Sequence, residues 1–345
     1  MSDLSVSFVV PVRNGARWLA DALDAMLAES RGRTAEIIVV DDRSTDATPR
    51  ILSAYAAAGR VRVVRGAGSG AAAAVNLGIR HARYDVICQV DQDVVLQPGW
   101  LANVLAPLAD PAVAASQGWY ATADDAGLCA RVMGLDLDRR YARLTSRYVD
   151  HVCTGNTAYR ADALRAVALL DESLGYGYDN DLSYRLGAAG YRLAFARGAR
   201  SVHRWREGLA GYVRQQYGFG YGRLDVIGKH PRRVGGDDVS GAGMIAHAAL
   251  MLVAIAVALL AAAIGAAGGP WRVPAALAFA IVAALTAERA VAGGHAAYAR
   301  RNPAALGFPL VHLARDVAWA AAIVVWTARR VAARPRRPAH SMSTT

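Results

Sequence analysis

The sequence predicts an α/β chain, a parallel, doubly wound sheet followed by a helical membrane region. Three observations carry this prediction. Short β-rich runs alternate with segments of helical periodicity from Ser5 to Val90, the pattern of successive βαβ units with right-handed crossovers. Two of the runs end in paired acids, Asp41-Asp42 and Asp91-Gln92-Asp93, at the edge where an open α/β sheet binds its ligand. After Gly235-Gly236-Asp237-Asp238 the composition changes abruptly to a long uncharged apolar stretch.

The first run, residues 5–11, is almost unbroken and long enough for a central strand buried on both faces. A turn follows at Val12-Arg13-Asn14-Gly15. Leu19, Ala22, Leu23, Met26 and Leu27 then recur at helical spacing, so residues 18–27 predict a helix covering the sheet. Residues 36–40 form the next strand. Ser44 or Thr45 is placed to cap the helix that continues through Ile51, Leu52 and Tyr55. Residues 61–64 predict a third strand, 70–80 a third helix and 85–90 a fourth strand.

A formal charge of +11 and a pI of about 9.9 exclude little by themselves. The arginines, however, cluster on either side of the most hydrophobic region, which fits a membrane surface and gives no support for nucleic acid. Cys88, Cys129 and Cys153 have neither a disulfide-framework nor a metal-site spacing, as expected of a reducing cytoplasm. The opening Met1-Ser2-Asp3-Leu4 lacks the basic and apolar regions of a signal peptide. The expectation is that the first domain, residues 1–235, lies in the cytoplasm.

An Asp-x-Asp at a strand end delivers hard oxygen ligands suited to Mg²⁺ or Mn²⁺ carrying phosphates. The glycine fingerprint of dinucleotide folds is missing after the first strand. Gly66-Ala67-Gly68-Ser69-Gly70 lacks the Lys-Ser/Thr that completes a P-loop. Dehydrogenase and P-loop chemistry are therefore disfavoured.

Four segments in order now carry a family resemblance: Val9-Val10-Pro11-Val12-Arg13-Asn14, Val39-Val40-Asp41-Asp42-Arg43-Ser44-Thr45-Asp46, Gly70-x-x-x-Ala74-x-Asn76-x-Gly78 and Asp91-Gln92-Asp93. Along roughly the first 230 residues the chain resembles family 2 glycosyltransferases. The resemblance implies an A-type glycosyltransferase fold and inverting transfer from a nucleotide diphosphate sugar, a UDP-sugar for preference. Pro11, Asn14, Asp41, Asp42 and Asp91 are then expected on the nucleotide sugar. Asn76 and Arg65 either touch the nucleotide or close its loop. Asp93, with Asp91, is expected to hold Mn²⁺ or Mg²⁺ across the diphosphate, and His203 to complete the metal shell or touch phosphate.

Gly177-Tyr178-Asp179-Asn180-Asp181-Leu182-Ser183-Tyr184-Arg185-Leu186 resembles the family's Glu-Asp-x-Asp-Leu-Ser-x-Arg-Leu segment. The resemblance places the general base on Asp179, with Tyr178 standing where the family has glutamate; Asp181 reads as a first-turn charge. Gly155 and Asn156 lie in a small-residue turn that borders the acceptor or is merely tight. Gln215 falls in a segment, residues 212–223, that resembles the acceptor border of membrane-associated exopolysaccharide enzymes of the succinoglycan type, and Trp205, at the end of the strand before it, is expected at the acceptor as well. The Gln-x-x-Arg-Trp of processive enzymes is not matched.

Residues 236–334 read as the membrane domain. Residues 244–265 are long enough for a bilayer core, 270–287 form a shorter second span, and Glu288-Arg289 return the chain to the cytoplasm. Residues 306–328 carry His312, Arg315, Asp316 and Trp319 on one face. This third segment either spans or, as the positive-inside rule favours, lies in the interface or re-enters. Residues 335–345 read as a disordered basic tail. The expectation is a multi-pass bacterial membrane enzyme, its catalytic domain cytoplasmic, acting on a lipid-linked glycan acceptor. The alternatives are direct transfer to polyprenyl phosphate and a non-catalytic subunit that binds nucleotide sugar.

Overall fold

The computed structural model describes residues 4–332; the expected basic tail lies outside them. The predicted alternation is present: β1 (Val6–Val12), α1 (Leu19–Glu29), β2 (Ala35–Asp41), α2 (Thr48–Ala57), β3 (Arg62–Arg65), α3 (Ala71–His81) and β4 (Val86–Val90). These strands pair in parallel in the order β3-β2-β1-β4. Leu19, Ala22, Leu23 and Met26 of α1 are fully buried against them, as their spacing requires. One local expectation fails. Ser44 and Thr45 do not cap α2, because the Ser44 hydroxyl accepts from the Asn14 amide (3.0 Å) and the Thr45 amide donates to the Asn14 side chain (2.7 Å). Those two bonds tie the loop after β2 to the loop after β1.

Beyond β4 the sheet becomes mixed, where a wholly parallel one was expected. The chain continues through β5 (Val94–Leu96), α4 (Trp100–Leu105), β6 (Val113–Thr122), α5 (Leu128–Arg143), β7 (Tyr148–Val149), β8 (Asn156–Arg160), α6 (Ala161–Ala166), α7 (Tyr178–Ala188), β9 (Arg192–His203) and α8 (Leu209–Lys229). β8 joins β4 antiparallel, and the order continues β8-β6-β9-β5. Hydrophobic runs report that a strand is buried; they do not report its direction.

Three long helices complete the described chain: α9 (Ala242–Ala266), α10 (Arg272–Arg300) and α11 (Phe308–Ala332). All three are long and apolar enough to cross a membrane. α10 runs past Glu288-Arg289, the expected end of the second span. Within it Arg289, only 1% exposed, is paired with Asp316 of α11. α11 is unbroken. Half of its apolar window is buried, against α8, α9 and α10.

The α8–α11 contact depends on a small residue. A Cβ at Gly220 would stand 3.0 Å from Cγ and 3.1 Å from Cα of Trp319, so glycine sets the approach of the two helices. The Gly235-Asp238 segment, which the sequence marks as a composition boundary, is stitched to the first domain. Asp237 is buried and accepts from Arg223 (3.1 Å), Asn180 (3.1 Å) and Tyr184 (3.3 Å).

Candidate active site

Asp91 and Asp93 leave the carboxyl end of β4 into a cleft. The Asp91 amide donates to the Gly155 carbonyl (3.1 Å), and Gln89 donates to its carboxylate (2.8 Å). A Cβ at position 155 would collide with the Asp91 carboxylate, so the turn before β8 must be glycine for the aspartate to sit there. The β5–β9 pairing sets Val94 opposite His203. That register brings His203 Nε2 to 3.7 Å from Asp93, 110 positions along the chain by residue number.

Burial and the neighbouring Asp93 charge push the Asp91 carboxyl above the usual carboxylate range, and burial does the same to Asp93. Burial pushes the His203 imidazole down to about 4, which keeps it neutral at pH 7, the form that ligates metal. Its Nδ1 is buried without a hydrogen-bond partner. Two crowded carboxylates beside a neutral imidazole form an oxygen-rich set that fits Mn²⁺ or Mg²⁺.

Asp179 occupies the first turn of α7. Gly177 precedes it at φ 76°, a left-handed conformation that favours glycine, and a Cβ there would stand 2.7 Å from Val226 of α8. His151, which the sequence reading missed, lies 3.6 Å from Asp179 through Nε2 and 3.9 Å from Asp237 through Nδ1. It is 5% exposed. Burial alone would lower its pKa, but the Asp237 and Asp179 carboxylates outweigh that and hold it above the ordinary value. Cys153 joins this group: one ligand atom each from His151, Cys153 and Asp179 lie within 4.8 Å of one another. The segment is held from below by Gln117, whose carbonyl oxygen accepts from the Cys153 amide (2.6 Å) while its amide donates to Tyr141 (2.7 Å). The only sequence signal for His151 was its nearness to the Thr154-Gly155-Asn156 turn. Tyr178 remains protonated, because burial raises its pKa. Asp181 is a buried first-turn charge, paired with Arg185 (2.8 Å), Lys229 (2.8 Å) and His230 (2.9 Å).

The remaining expected residues divide between the cleft and its supports. Asp41 and Asp42 lie at the carboxyl edge, where Asp41 accepts from the Ser44 amide (3.0 Å). Both Asp42 oxygens are engaged by the Gly68 and Gly70 amides (2.7 and 2.9 Å), so Asp42 shapes the glycine loop. Pro11 pairs opposite Val40, one residue before the β1–β2 pairing ends at Val12 and Asp41, and Asn14 joins the two loops as described. Arg65 is exposed at the end of β3. Asn76 is fully bonded to the loop after α6: it donates to Leu170 and Glu172 (2.9 Å each) and accepts from the Leu170 amide (3.0 Å).

A cavity of about 480 Å³ joins the acids to the long helices. Asp91, Asp93, Asp179 and His203 line one part; Met244 of α9 and His312, Arg315 and Trp319 of α11 line another. Gly155, Trp205 and Gln215 border it. Trp205 packs against His203 with ring centroids 3.9 Å apart and planes tilted by 43°, and donates to Thr122 (3.1 Å). Asn156 does not border the cavity. It is wholly buried on β8 and accepts from Trp100 (2.6 Å), because the pleat turns its side chain beneath the sheet.

Comparison with known proteins gives three results. Residues 7–168 match the model of glycosyl transferase family 2. The chain is 30% identical over 253 residues to a pre-mycofactocin glycosyltransferase of Mycobacterium tuberculosis, covering 71% of this chain and 52% of that protein. It is 38% identical over 103 residues to the succinoglycan biosynthesis protein ExoO of Rhizobium meliloti, covering 29% and 28%. The chain thus spans about half the length of the first of these relatives. Among solved structures, a mannosyltransferase of Pyrobaculum calidifontis with GDP-Man and Mn²⁺ superposes with a TM-score of 0.57 at 22% identity, over 93% of this chain and 86% of that one. GalNAc-T7 with UDP, GalNAc and Mn²⁺ gives 0.51 at 18% identity, over 66% and 48%. These likenesses establish the fold, and the first of them extends into the C-terminal helices.

Proposed function

We propose that this protein, whose residues 7–168 belong to glycosyl transferase family 2, transfers a sugar with inversion from a nucleotide diphosphate sugar to a hydroxyl of a membrane-held acceptor. One observation carries the reading: a single cavity holds the Asp-x-Asp at one end, Asp179 beside it, and the polar face of α11 at the other. The nucleotide sugar enters over the carboxyl ends of β1, β2 and β4, with Asp41 toward the nucleoside. Asp91, Asp93 and His203 would hold a divalent cation, which supplies charge to stabilise the leaving diphosphate. Support comes from the structural neighbours that carry GDP-Man or UDP with Mn²⁺.

Asp179 takes the acceptor's proton as its oxygen bonds to the anomeric carbon on the face opposite the nucleotide. The bond from that carbon to the diphosphate oxygen breaks, and its electron pair leaves with the nucleoside diphosphate. Trp205, packed against His203, walls the acceptor side, and Gln215 faces the same space. The helices hold the catalytic domain against the bilayer, where an acceptor with a lipid tail is delivered laterally.

The test is release of nucleoside diphosphate by detergent-solubilised protein across a panel of nucleotide sugars with membrane lipid extract, with Mn²⁺ or EDTA, and with Asp179→Asn. Release that requires metal, lipid and Asp179 is the expected result. Metal-dependent release indifferent to Asp179 would point to a phosphate acceptor, which needs no base. Donor binding without release in any extract would overturn the catalytic reading.

A further inference from the structure

A second cavity, of about 450 Å³, lies between α5 and the three long helices. It is built of arginines: Arg139, Arg140 and Arg143 of α5 line it with Arg289 of α10 and Arg315 of α11. The buried Asp136 carboxylate is shared among Arg139 (3.1 Å), Arg140 (3.2 Å) and Arg315 (3.7 Å), and Asp316 of α11 pairs with Arg289 and Arg315. Burial opposes its charge, yet these cations hold the Asp136 carboxyl well below the usual carboxylate range. Asp237 is matched by Arg223 (3.1 Å), and the other lining acids, Asp238 and Glu288, are exposed.

Donors are left over. Among the described residues the Nε atoms of Arg139 and of Arg289 are buried with no hydrogen-bond partner, although the other Arg289 nitrogens are engaged by the Leu285 carbonyl, Glu288 and Asp316. Arg143 makes no hydrogen bond or ion pair among the described residues. Buried guanidinium donors without acceptors are costly, and a forked phosphate is the acceptor that arginine geometry matches. The cavity also sits where the apolar lengths of α9, α10 and α11 end, and it shares Arg140, Met244, His312 and Arg315 with the cavity of the candidate active site.

We infer that this cavity binds the phosphate or diphosphate of the lipid that carries the acceptor. The inference rests on the proposed membrane-held acceptor and names its headgroup. The lipid's apolar chain runs along the exposed faces of the helices, the phosphate sits among the arginines, and the attached glycan reaches through the shared wall toward Asp179. Specificity for the acceptor would then come partly from the distance between its phosphate and its reacting hydroxyl.

Binding is measured on the full detergent-purified chain in EDTA, so that no divalent cation can hold a diphosphate at Asp91 and Asp93. The probes are farnesyl diphosphate, farnesol, inorganic pyrophosphate, and phosphatidylglycerol vesicles, titrated against the native protein, Arg143→Gln and Arg139→Lys. Arg143 is exposed and unpaired, so its variant keeps the fold, and the lysine variant keeps the charge beside Asp136. The expected result is binding of farnesyl diphosphate but not farnesol, weakened about tenfold in each variant, the scale of one charge-assisted hydrogen bond. Pyrophosphate should compete, weakly for want of the apolar chain. Unchanged farnesyl diphosphate binding in both variants would overturn the inference. So would phosphatidylglycerol binding of equal strength and equal arginine dependence, which would make this a general headgroup contact, or pyrophosphate binding as tight as farnesyl diphosphate, which would make it a site for the free anion. Nucleotide-sugar binding with Mn²⁺, measured in parallel, tests the donor reading separately.

Discussion

His151 Nε2 stands 3.6 Å from the carboxylate of Asp179, while its Nδ1 stands 3.9 Å from that of Asp237. A buried imidazole between two carboxylates links the candidate base to the segment that leads into the long helices. Its folded pKa lies above the ordinary value of 6.5. A group so raised contributes stability that is fully present below about pH 6.5. That contribution is lost as pH rises through the folded pKa. Thermal unfolding of the native protein should therefore fall in midpoint as pH is raised from neutrality, and His151→Gln should flatten that part of the profile. A profile unchanged by the substitution would remove His151 from the linkage.

Gly155 is the only residue type that leaves room for the Asp91 carboxylate. Gly155→Ala is expected to cost about 1–3 kcal/mol of stability through overpacking, and to weaken Mn²⁺ binding because Asp91 must move. Calorimetric Mn²⁺ titration of a variant that retains its fold checks this. Undiminished affinity would show that Asp91 does not face the cation.

Arg289 and Asp316 pair across α10 and α11 with side chains 2% and 1% exposed. Removing one partner leaves a buried charge, at a cost of about 3–5 kcal/mol. Arg289→Met and Asp316→Leu singly should each lower the unfolding midpoint in detergent, while the double variant recovers most of the loss. Additive losses would mean the pair does not hold the helices together.

Gly220→Leu should force α11 away from α8, since even a Cβ would stand 3.0 Å from the Trp319 ring. A loss of about 1–3 kcal/mol is expected, together with faster proteolysis between the first domain and α11. Nucleotide binding, proposed over the carboxyl ends of β1, β2 and β4, should persist. Loss of both together would indicate that α11 supports the donor site as well.

The N-terminal half of the sheet was legible because each βαβ unit writes its burial locally, in the alternation of runs such as residues 5–11 and 18–27. The site was legible in part. Asp91, Asp93 and Asp179 stand in short patterns whose spacing survives folding, and His203 follows a β-rich run. His151 and Asp136 carry no such pattern, because their partners lie far away in the chain, and Arg315 was marked only as part of a polar helix face.

By itself, then, the sequence determined an α/β domain ending strands in acids, followed by apolar helices, because periodicity and composition are properties of neighbours along the chain. Tertiary structure decided the rest. It turned β8 antiparallel, set His203 against Asp93 through the β5–β9 register, and closed Asn76 onto residues 170–172. It also joined the catalytic cleft to the arginine-lined cavity. Each of these depends on which strand faces which and which helix docks where, choices made by packing and hydrogen bonding between residues that the chain order keeps far apart.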